Sequence, residues 1–463
     1  MKRKYLAVLM AMVLSFGVVA CGGNASVDNV ANNVSQSEET PVEETATEEI
    51  AEENDAEEAD ESVEAAVDET KEETEEVNEV VEENVVATDS SPEEAFEFAR
   101  NLKVGYNLGN TLDAFTASAN LSNDLASETC WGNPETTKEL IDLIKECGFT
   151  SIRIPVSWHN HIEVSDADGD GVDEMTINEA WLERVKTIVD WAIEDDMYAI
   201  INIHHDNHQD ITSGEFNYIP DYENEEFAIW YTSGVWEIVA DYFKDYDEHL
   251  IFEAQNEPRL VNDDEHQWWY DPSNAHCKEA ADVINKINQN FVDIVRSSGG
   301  NNADRYLMVP AYCASIDALK ADTFVLPTDT ASNKLMVAFH AYVPYEFALS
   351  TDMSNDKFAK NTKMSTYAID KALENVDKAI MSQGIPVVLG EFGCREKNDN
   401  TDSRVQYYEY YVDKCHEYGI PCFVWDNGCS SGDGERFALI DRKNLSVLYQ
   451  PVVDAITKSW PND

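Results

Sequence analysis

Positive charge is scarce in this sequence. The 463 residues carry 32 Lys and Arg against 91 Asp and Glu, which gives a formal net charge of −59 at pH 7. A chain this acidic repels the phosphates of nucleic acids and the headgroups of anionic lipids. The composition therefore argues against nucleic acid or an anionic membrane surface as a partner and favours an uncharged ligand.

Motifs that bind cofactors or metals are also lacking. No G-x-G-x-x-G follows the first predicted strand, and none of the nine cysteines forms a C-x-x-C pair. The cluster HHDNH (204–208) lacks the spacing of a zinc protease. The stretch 166–171 opens like a calcium loop, but Ile177 stands where a bidentate acid must close the cage. We expect no cofactor and no metal, with calcium at 166–171 as an alternative to an acidic turn and disulfide pairing left open.

The first 91 residues lack the pattern of a folded domain. A basic start and a short apolar run predict a secretory signal over 1–21. Its end, VVAC (18–21), resembles a bacterial lipobox, which implies a lipid on Cys21 and anchoring outside the cell, at the bacterial surface; plain secretion is the alternative. Residues 22–91 hold 25 Asp and Glu against one basic residue, Lys71, which predicts a disordered acidic tether.

From Pro92 onward, β-branched runs alternate with helical patterns such as the one that starts at Asn178 or the one that starts at Pro134. Eight near-continuous apolar strands separated by helices predict a parallel (β/α)8 barrel over 92–463 rather than a doubly wound sheet. The candidate strands are KVGYNLG (103–109), SIRIPV (151–156), YAIINIHH (198–205), LIFEAQNE (250–257), YLMVPAY (306–312), KLMVAFHAY (334–342), PVVLGEFG (386–393) and PCFVWDNG (421–428).

Polar and aromatic side chains stand at the ends of these predicted strands. In a parallel barrel the carboxyl ends of the strands meet at one mouth, where active sites are built. Asn256 and Glu257 end the fourth strand, and Glu391 ends the seventh. The other strand-end residues are Asn107, Arg153, His204, His205, Asp206, His340, Tyr342 and Trp425. So many functional side chains at one mouth predict a site rather than a set of independent caps.

These residues resemble glycoside hydrolase family 5, whose barrels carry two catalytic glutamates after strands four and seven. The resemblance covers 92–463, and the segment 128–162 is similar to the endo-β-1,4-glucanases of subfamily four. The motifs NEP and GEFG are short, but their order and spacing are specific. The resemblance implies that Glu257 is the general acid/base and Glu391 the nucleophile of a retaining enzyme, with carboxyl groups roughly 5 to 5.5 Å apart.

The resemblance also implies supporting roles around the two glutamates. Arg153 is expected to hold Glu391 ionised through charge-assisted hydrogen bonds. Asn256 is expected to bind the 2-hydroxyl of the reacting sugar, and His340 to contact Glu257. The complete supporting set is Arg153, Asn256, His204, His340 and Tyr342.

Sugar rings stack on aromatic side chains, so a groove for a polymer needs them on its loops. Trp425 resembles the tryptophan beneath the sugar that precedes the scissile bond. The residues expected to bind substrate are Asn107, His205, Trp131, Trp158, Trp268, Trp269 and Trp425, with Tyr270 beside them. Core packing is the alternative for the adjacent pair Trp268 and Trp269, because neighbours on a regular element face opposite ways. His159 and His161 either line a subsite or lie in an exposed loop.

The expected function is an endo-β-1,4-glucanase, a monomer that cleaves β-glucan polysaccharides. A xyloglucanase, a lichenase or a β-mannanase of the same family is an alternative, because loop shape selects among these polymers. A tethered glucan-binding protein with weak or no catalysis is an alternative of another class. The presence of both Glu257 and Glu391 favours the enzyme. A barrel without a separate carbohydrate-binding module is expected to prefer soluble chains to crystalline cellulose.

Overall fold

The structure, a computed structural model, describes residues 90–116, 125–166, 174–211, 216–432 and 435–461. The predicted signal with Cys21, nearly all of the tether and most of the calcium-like loop lie outside these described residues. Among the helices of the described part, none combines the length and apolar character that crossing a membrane requires.

Eight parallel strands form a closed barrel, which confirms the predicted (β/α)8 fold. Every predicted strand is present, and β1 closes the barrel by pairing with β8 from Val104 opposite Cys422 to Leu108 opposite Asp426. The strands are β1 (Val104–Leu108), β2 (Ser151–Ile154), β3 (Tyr198–Asn202), β4 (Leu250–Glu253), β5 (Leu307–Pro310), β6 (Leu335–His340), β7 (Val387–Phe392) and β8 (Cys422–Asp426).

Helices surround the barrel, and two short β-hairpins follow β2 and β8 along the chain. The helices are α1 (Pro92–Leu102), α2 (Lys138–Glu146), α3 (Glu179–Glu194), α4 (Glu225–Tyr242), α5 (Ala275–Ser297), α6 (Ile316–Leu319), α7 (Tyr345–Ala348), α8 (Lys363–Ala379), α9 (Thr401–Tyr418) and α10 (Gln450–Thr457). The hairpins pair Ile162–Ser165 with Glu174–Ile177 and Ile440–Asp441 with Ser446–Val447.

Helix α2 begins at Lys138, so the start at Pro134 expected from the sequence is wrong. The backbone N–H of Thr136 donates to Glu128 Oε1 at 2.8 Å, and Arg184 Nη2 donates to the Thr136 carbonyl at 2.6 Å. These side chains satisfy the backbone before the helix, so the chain there does not need helical hydrogen bonds.

Helix α1, which the sequence patterns did not reveal, closes the amino-terminal mouth of the barrel. A capping box starts it: Glu94 N donates to Ser91 Oγ, and Ser91 N donates to Glu94 Oε2. Its apolar face, including Phe98 and Leu102, packs against residues that point into the barrel. The ring of Phe98 stacks on Tyr306 with centroids 3.6 Å apart. The carboxyl-terminal mouth is therefore the one available for a site.

The barrel interior is apolar near α1 and polar near the opposite mouth. The period-2 alternation of a strand puts Ile200 and then Asn202 inward on β3, and Ile251 and then Glu253 inward on β4. Phe423 fills the lower layer so closely that a Cβ on Gly105 would lie 2.0 Å from its ring. The polar layer thus lies directly beneath the mouth.

Candidate active site

Glu391 on β7 has both carboxylate oxygens bound. Arg153 Nη1 donates to Oε1 at 2.8 Å, and the Tyr342 hydroxyl donates to Oε2 at 2.8 Å. The Glu391 side chain is almost completely buried. These two donors stabilise negative charge on Glu391 and fix the direction in which its oxygens point.

Glu257 is joined to His340. The strand β4 ends at Glu253, and Glu257 lies in the loop that follows it, where its Oε1 hydrogen-bonds His340 Nδ1 at 2.7 Å. Burial raises the pKa of Glu257, but the hydrogen bond to His340 and the positive charges of Arg259 and Arg153 outweigh burial and lower it. Burial lowers the pKa of His340, while the charge of Glu391 and the bond to Glu257 raise it overall. The pair therefore holds a proton near Glu257.

The two glutamates face each other across a short gap. One oxygen of Glu257, one ring nitrogen of His340 and one oxygen of Glu391 all lie within 4.8 Å of one another. This spacing would also suit metal ligands, but Glu257 and His340 already bind each other, and Arg153 and Tyr342 occupy Glu391. The arrangement is that of two carboxyl groups acting on one bond.

Arg153 connects the residues of this site. Its Nη1 reaches Glu391 and Asn107 Oδ1, its Nη2 donates to Asn256 Oδ1 at 2.7 Å, and its Nε donates to Glu253 Oε2 at 2.7 Å. The guanidinium is completely buried. Glu253 was not predicted as a site residue. The signal was an acid in the apolar run LIFE, two residues after the inward-facing Ile251.

A family model supports the same conclusion as this geometry. The model of the cellulases, glycosyl hydrolase family 5, matches residues 113–431, a range that includes Arg153, Glu257 and Glu391. The chain belongs to glycoside hydrolase family 5.

Individual members of the family are similar over most of the chain. Endoglucanase B of Neocallimastix patriciarum is 40% identical over 370 residues, which are 79% of this chain and 72% of that protein. A family 5 lichenase from Caldicellulosiruptor sp. F32, solved with cellotetraose as a mutant, is 41% identical with a TM-score of 0.74, over 83% of this chain and all of that one. A broad-specificity endoglucanase of subfamily four from Ruminococcus champanellensis, with bound cellotriose, is 39% identical with a TM-score of 0.70, over 80% and 99% of the two chains.

Three residues predicted to bind substrate pack in the interior of this family 5 barrel instead. Asn107 Nδ2 donates to the carbonyls of Gly390, Phe423 and Val424, and its oxygen accepts from Arg153. The prediction of a sugar contact at Asn107 is wrong, because the amide bridges β1, β7 and β8 below the site.

The prediction of a sugar contact at Trp158 is also wrong. Its side chain is 1% exposed and its indole N–H donates to the Asn202 carbonyl at 3.0 Å, so it packs in the core beside β3. Tyr270 is also buried, against Tyr312. His159 and His161 are buried too, so the exposed-loop alternative is wrong. The ring of His161 stacks on Trp181 of α3 and hydrogen-bonds Ser127 Oγ, which places it in the core.

The histidines after β3 line the mouth in their neutral form. His204 Nδ1 bonds the Asn202 amide at 3.2 Å, and its ring lies parallel to Trp425 with centroids 6.0 Å apart. Burial lowers the pKa of His204 and of His205 well below the usual value, and burial also lowers the pKa of His208 to about 4. Neutral imidazoles can exchange hydrogen bonds with sugar hydroxyls without introducing charge.

Exposed tryptophans extend from this mouth. Trp131, Trp268 and Trp269 are 39%, 54% and 64% exposed, so the alternative of core packing for the adjacent pair is wrong. Arg259 lies 4.0 Å from Glu257 and also 3.8 Å from the ring centre of Trp268. The ring of Trp268 is therefore placed near Glu257, where a sugar chain leaving the two glutamates could stack on it.

Proposed function

We propose that this protein is a retaining endo-β-1,4-glucanase that cleaves internal bonds of cellulose and related β-glucans by double displacement. The observation that supports this most directly is the approach of Glu257 to Glu391 within 4.8 Å, with Arg153 and Tyr342 on one and His340 on the other. A gap this short favours nucleophilic attack by a carboxylate, because an inverting enzyme must leave room for a water.

In the first step, the Glu391 carboxylate attacks the anomeric carbon while Glu257 gives its proton to the glycosidic oxygen. The bond to the leaving chain breaks, and a covalent ester to Glu391 forms. A bound sugar chain excludes water from Glu257 and favours its neutral form, and the proton held with His340 is available to it. Because Arg153 holds the oxygen of Asn256, the amide nitrogen of Asn256 is left to bind the 2-hydroxyl of the reacting sugar.

In the second step, Glu257 takes a proton from water, and the resulting hydroxide attacks the anomeric carbon and breaks the ester. The esterified Glu391 has no charge, which removes one cause of the raised pKa of His340 and favours the basic form of the pair. The sugar leaves with its original configuration, and Glu257 is protonated again.

The two roles can be separated with Glu257→Ala and Glu391→Ala, assayed by reducing-sugar release from carboxymethyl cellulose and barley β-glucan. Each should lose about 10³-fold or more of kcat. On an aryl β-cellobioside, whose phenolate leaves without a proton, azide should rescue both variants, as measured by phenol release, and it should form a β-glycosyl azide with Glu257→Ala but an α-glycosyl azide with Glu391→Ala. A wild-type protein that releases no sugar from any β-glucan or mannan would contradict the proposal and leave only glucan binding.

The exposed side chains of Trp131, Trp268 and Trp269 are expected to contact the polymer and so to influence which polymer is preferred. Xyloglucan, mixed-linkage glucan and mannan are the competing substrates expected from the sequence, and the similarity to a lichenase supports mixed-linkage glucan. A panel of these soluble polymers and crystalline cellulose, with product analysis, measures the preference. We expect higher activity on soluble β-1,4-glucans, and faster hydrolysis of mannan or crystalline cellulose would contradict this expectation.

We also propose that the protein is a lipoprotein at the outer surface of a bacterium, with the lipid on Cys21. The support is the sequence VVAC at 18–21 and the acidic stretch 22–91 between it and the barrel. Labelled palmitate should enter the wild type and not Cys21→Ser, and the variant should move from the membrane fraction to the medium. Equal labelling of both would contradict lipidation at Cys21. All residues proposed for catalysis come from one chain, so the proposed chemistry needs no second copy.

A further inference from the structure

Glu253 is a buried acid that the mechanism above does not use. It lies inside the barrel on β4, completely buried. Its Oε2 accepts from Arg153 Nε at 2.7 Å and from Asn202 Nδ2 at 2.9 Å. Its Oε1 is also buried and has no hydrogen-bond partner among the described residues. A buried carboxylate oxygen without a hydrogen-bond partner lowers the stability of the folded state, so a donor is expected near Oε1.

A second buried atom without a partner lies close to the first. His340 uses Nδ1 for Glu257, while its Nε2 contacts no hydrogen-bond partner within the described ranges. The two atoms approach the same point, because a Cβ placed on Gly390 would lie 3.7 Å from Glu253 Oε1 and 3.0 Å from His340 Nε2. The missing side chain of Gly390 thus leaves a small polar space between a carboxylate oxygen and a ring nitrogen.

We propose that Glu253 is a positioning residue that governs the proton of Glu257, holding Arg153 directly and holding His340 through one water molecule beside Gly390. This inference rests on the proposed role of Glu257 as the acid/base. A buried water of this kind requires polar partners, and Glu253 Oε1 as an acceptor and His340 Nε2–H as a donor supply two of them.

The water contact determines which ring nitrogen of neutral His340 carries the proton. With its Nε2 proton donated towards Glu253, the neutral ring presents Nδ1 to Glu257 as an acceptor, so the proton of the pair lies between Nδ1 and the Glu257 carboxyl. This is the arrangement that a general acid needs before it protonates the glycosidic oxygen.

The charge of Glu253 acts in the same direction. Arg153 carries one positive charge and contacts two carboxylates, Glu253 and Glu391. Removal of the Glu253 charge would leave the site more positive, and the pair of Glu257 and His340 would then release its proton at lower pH. The ionisable groups that interact electrostatically with Glu257, His340 or Glu391 are Arg153 from β2, His204 after β3, Arg259 after β4, Cys313 after β5, Tyr342 after β6 and Glu435 after β8.

The test is Glu253→Gln, which keeps the size of the side chain and removes its charge. We expect kcat on barley β-glucan to fall about tenfold and the alkaline limb of the kcat/KM profile to move about one pH unit towards acid, since one unit corresponds to a modest change in local charge. Glu253→Asp restores the charge and should return the limb most of the way. An unchanged alkaline limb in folded Glu253→Gln would overturn the proposal.

The matched control is Glu128→Gln, the same change at another buried acid. Glu128 binds Arg184 Nε at 2.8 Å and Nη2 at 2.7 Å, and it does not contact Glu257, His340 or Glu391. It should lower the melting temperature without moving the alkaline limb. An equal shift in this control would show that loss of any buried ion pair moves the profile, and would also overturn the proposal.

A second measurement uses the wild type alone, in case Glu253→Gln does not fold. A crystal structure at near-atomic resolution should show a water within hydrogen-bond distance of Glu253 Oε1 and His340 Nε2. Its absence would overturn the water contact. Failure of the proposed function appears differently, as a wild type without hydrolysis or as a Glu257→Ala variant with full activity.

Discussion

Arg153 shows how one side chain can organise an active site. Its three donor nitrogens contact Glu253, Asn107, Glu391 and Asn256, and every one of these contacts is shielded from water. A planar guanidinium can meet several acceptors in fixed directions, whereas an ammonium is a point charge on a flexible stem.

Arg153→Lys keeps the positive charge but cannot reproduce this set of directed bonds. We expect kcat on β-glucan to fall about 10²-fold or more, because the orientation of Glu391 is lost, with a smaller change in KM. Steady-state kinetics on a soluble β-glucan measures this, with circular dichroism to verify folding. Activity close to that of the wild type would mean that charge alone is sufficient.

A second prediction at this scale concerns the histidines after β3. The pKa of His208 is about 4 in the folded protein because of burial, against roughly 6.5 in an unfolded chain. As pH falls from 6.5 to 4, the unfolded chain takes up a proton that the folded protein does not, so the folded state loses up to about 3 kcal/mol. His208→Gln should lose less stability than the wild type over this interval in urea unfolding.

Asp113 also titrates in this pH interval, but its effect on stability has the opposite sign and is the same in both proteins. Burial raises its pKa to about 6, so the folded protein binds its proton first and gains stability as pH falls below 6. This gain is common to the wild type and His208→Gln and cancels in their difference. Parallel stability curves for the two proteins from pH 6.5 to 4 would contradict the assignment to His208.

At the scale of elements, helix α1 and the mouth with the two glutamates lie at opposite ends of the barrel. The helix closes the amino-terminal end with Phe98 and Leu102, while the residues of the site follow the carboxyl ends of the strands. Packing at the closed end and chemistry at the open end should therefore respond separately to mutation.

Phe98→Ala tests this separation. Loss of a buried aromatic ring that stacks on Tyr306 should lower the free energy of unfolding by about 3 to 4 kcal/mol while kcat stays near the wild-type value. Glu93→Ala on the exposed side of α1 is the control and should cost at most about 1 kcal/mol, since it loses a solvent-exposed pair with Arg100 and a favourable charge in the first helical turn. A kcat that falls together with stability would show that the two ends are coupled.

At the scale of the whole molecule, the described residues contain the complete set of groups that the proposed chemistry needs. The capping box of Ser91 and Glu94 starts α1 at the closed end of the barrel, opposite the mouth with Glu257 and Glu391, and no described residue of the site precedes it. Activity on a soluble polymer should not depend on the residues before 90.

A protein that begins at residue 90 should keep kcat/KM on soluble β-glucan and its melting temperature roughly unchanged, because the core and the site are intact. Assays beside the full-length chain in detergent measure this. A several-fold loss of activity on soluble substrate would show that residues 1–89 contribute to binding.

The barrel and the acidic and basic residues at its mouth can be predicted from local sequence patterns. Apolar runs of the length of buried strands, separated by helical periods, specify a parallel barrel, and the polar ends of those runs must then meet at one mouth. That local pattern located Glu257 and Glu391 at the mouth, and the resemblance to family 5 implied the contact of Arg153 with Glu391 and of His340 with Glu257.

Local patterns cannot predict which strand-end residues face the mouth and which face the core, because contacts between distant segments select between the two. Trp158 and Trp268 both follow strands, yet one is buried and the other is half exposed, because the path of a loop after its strand depends on neighbours distant in sequence. The side chain of Asn107 points inward because its amide donates to a backbone carbonyl on β7, and Glu253 belongs to the site because Arg153 from another strand donates to it. Such contacts join residues 100 or more positions apart, beyond the range of any local pattern.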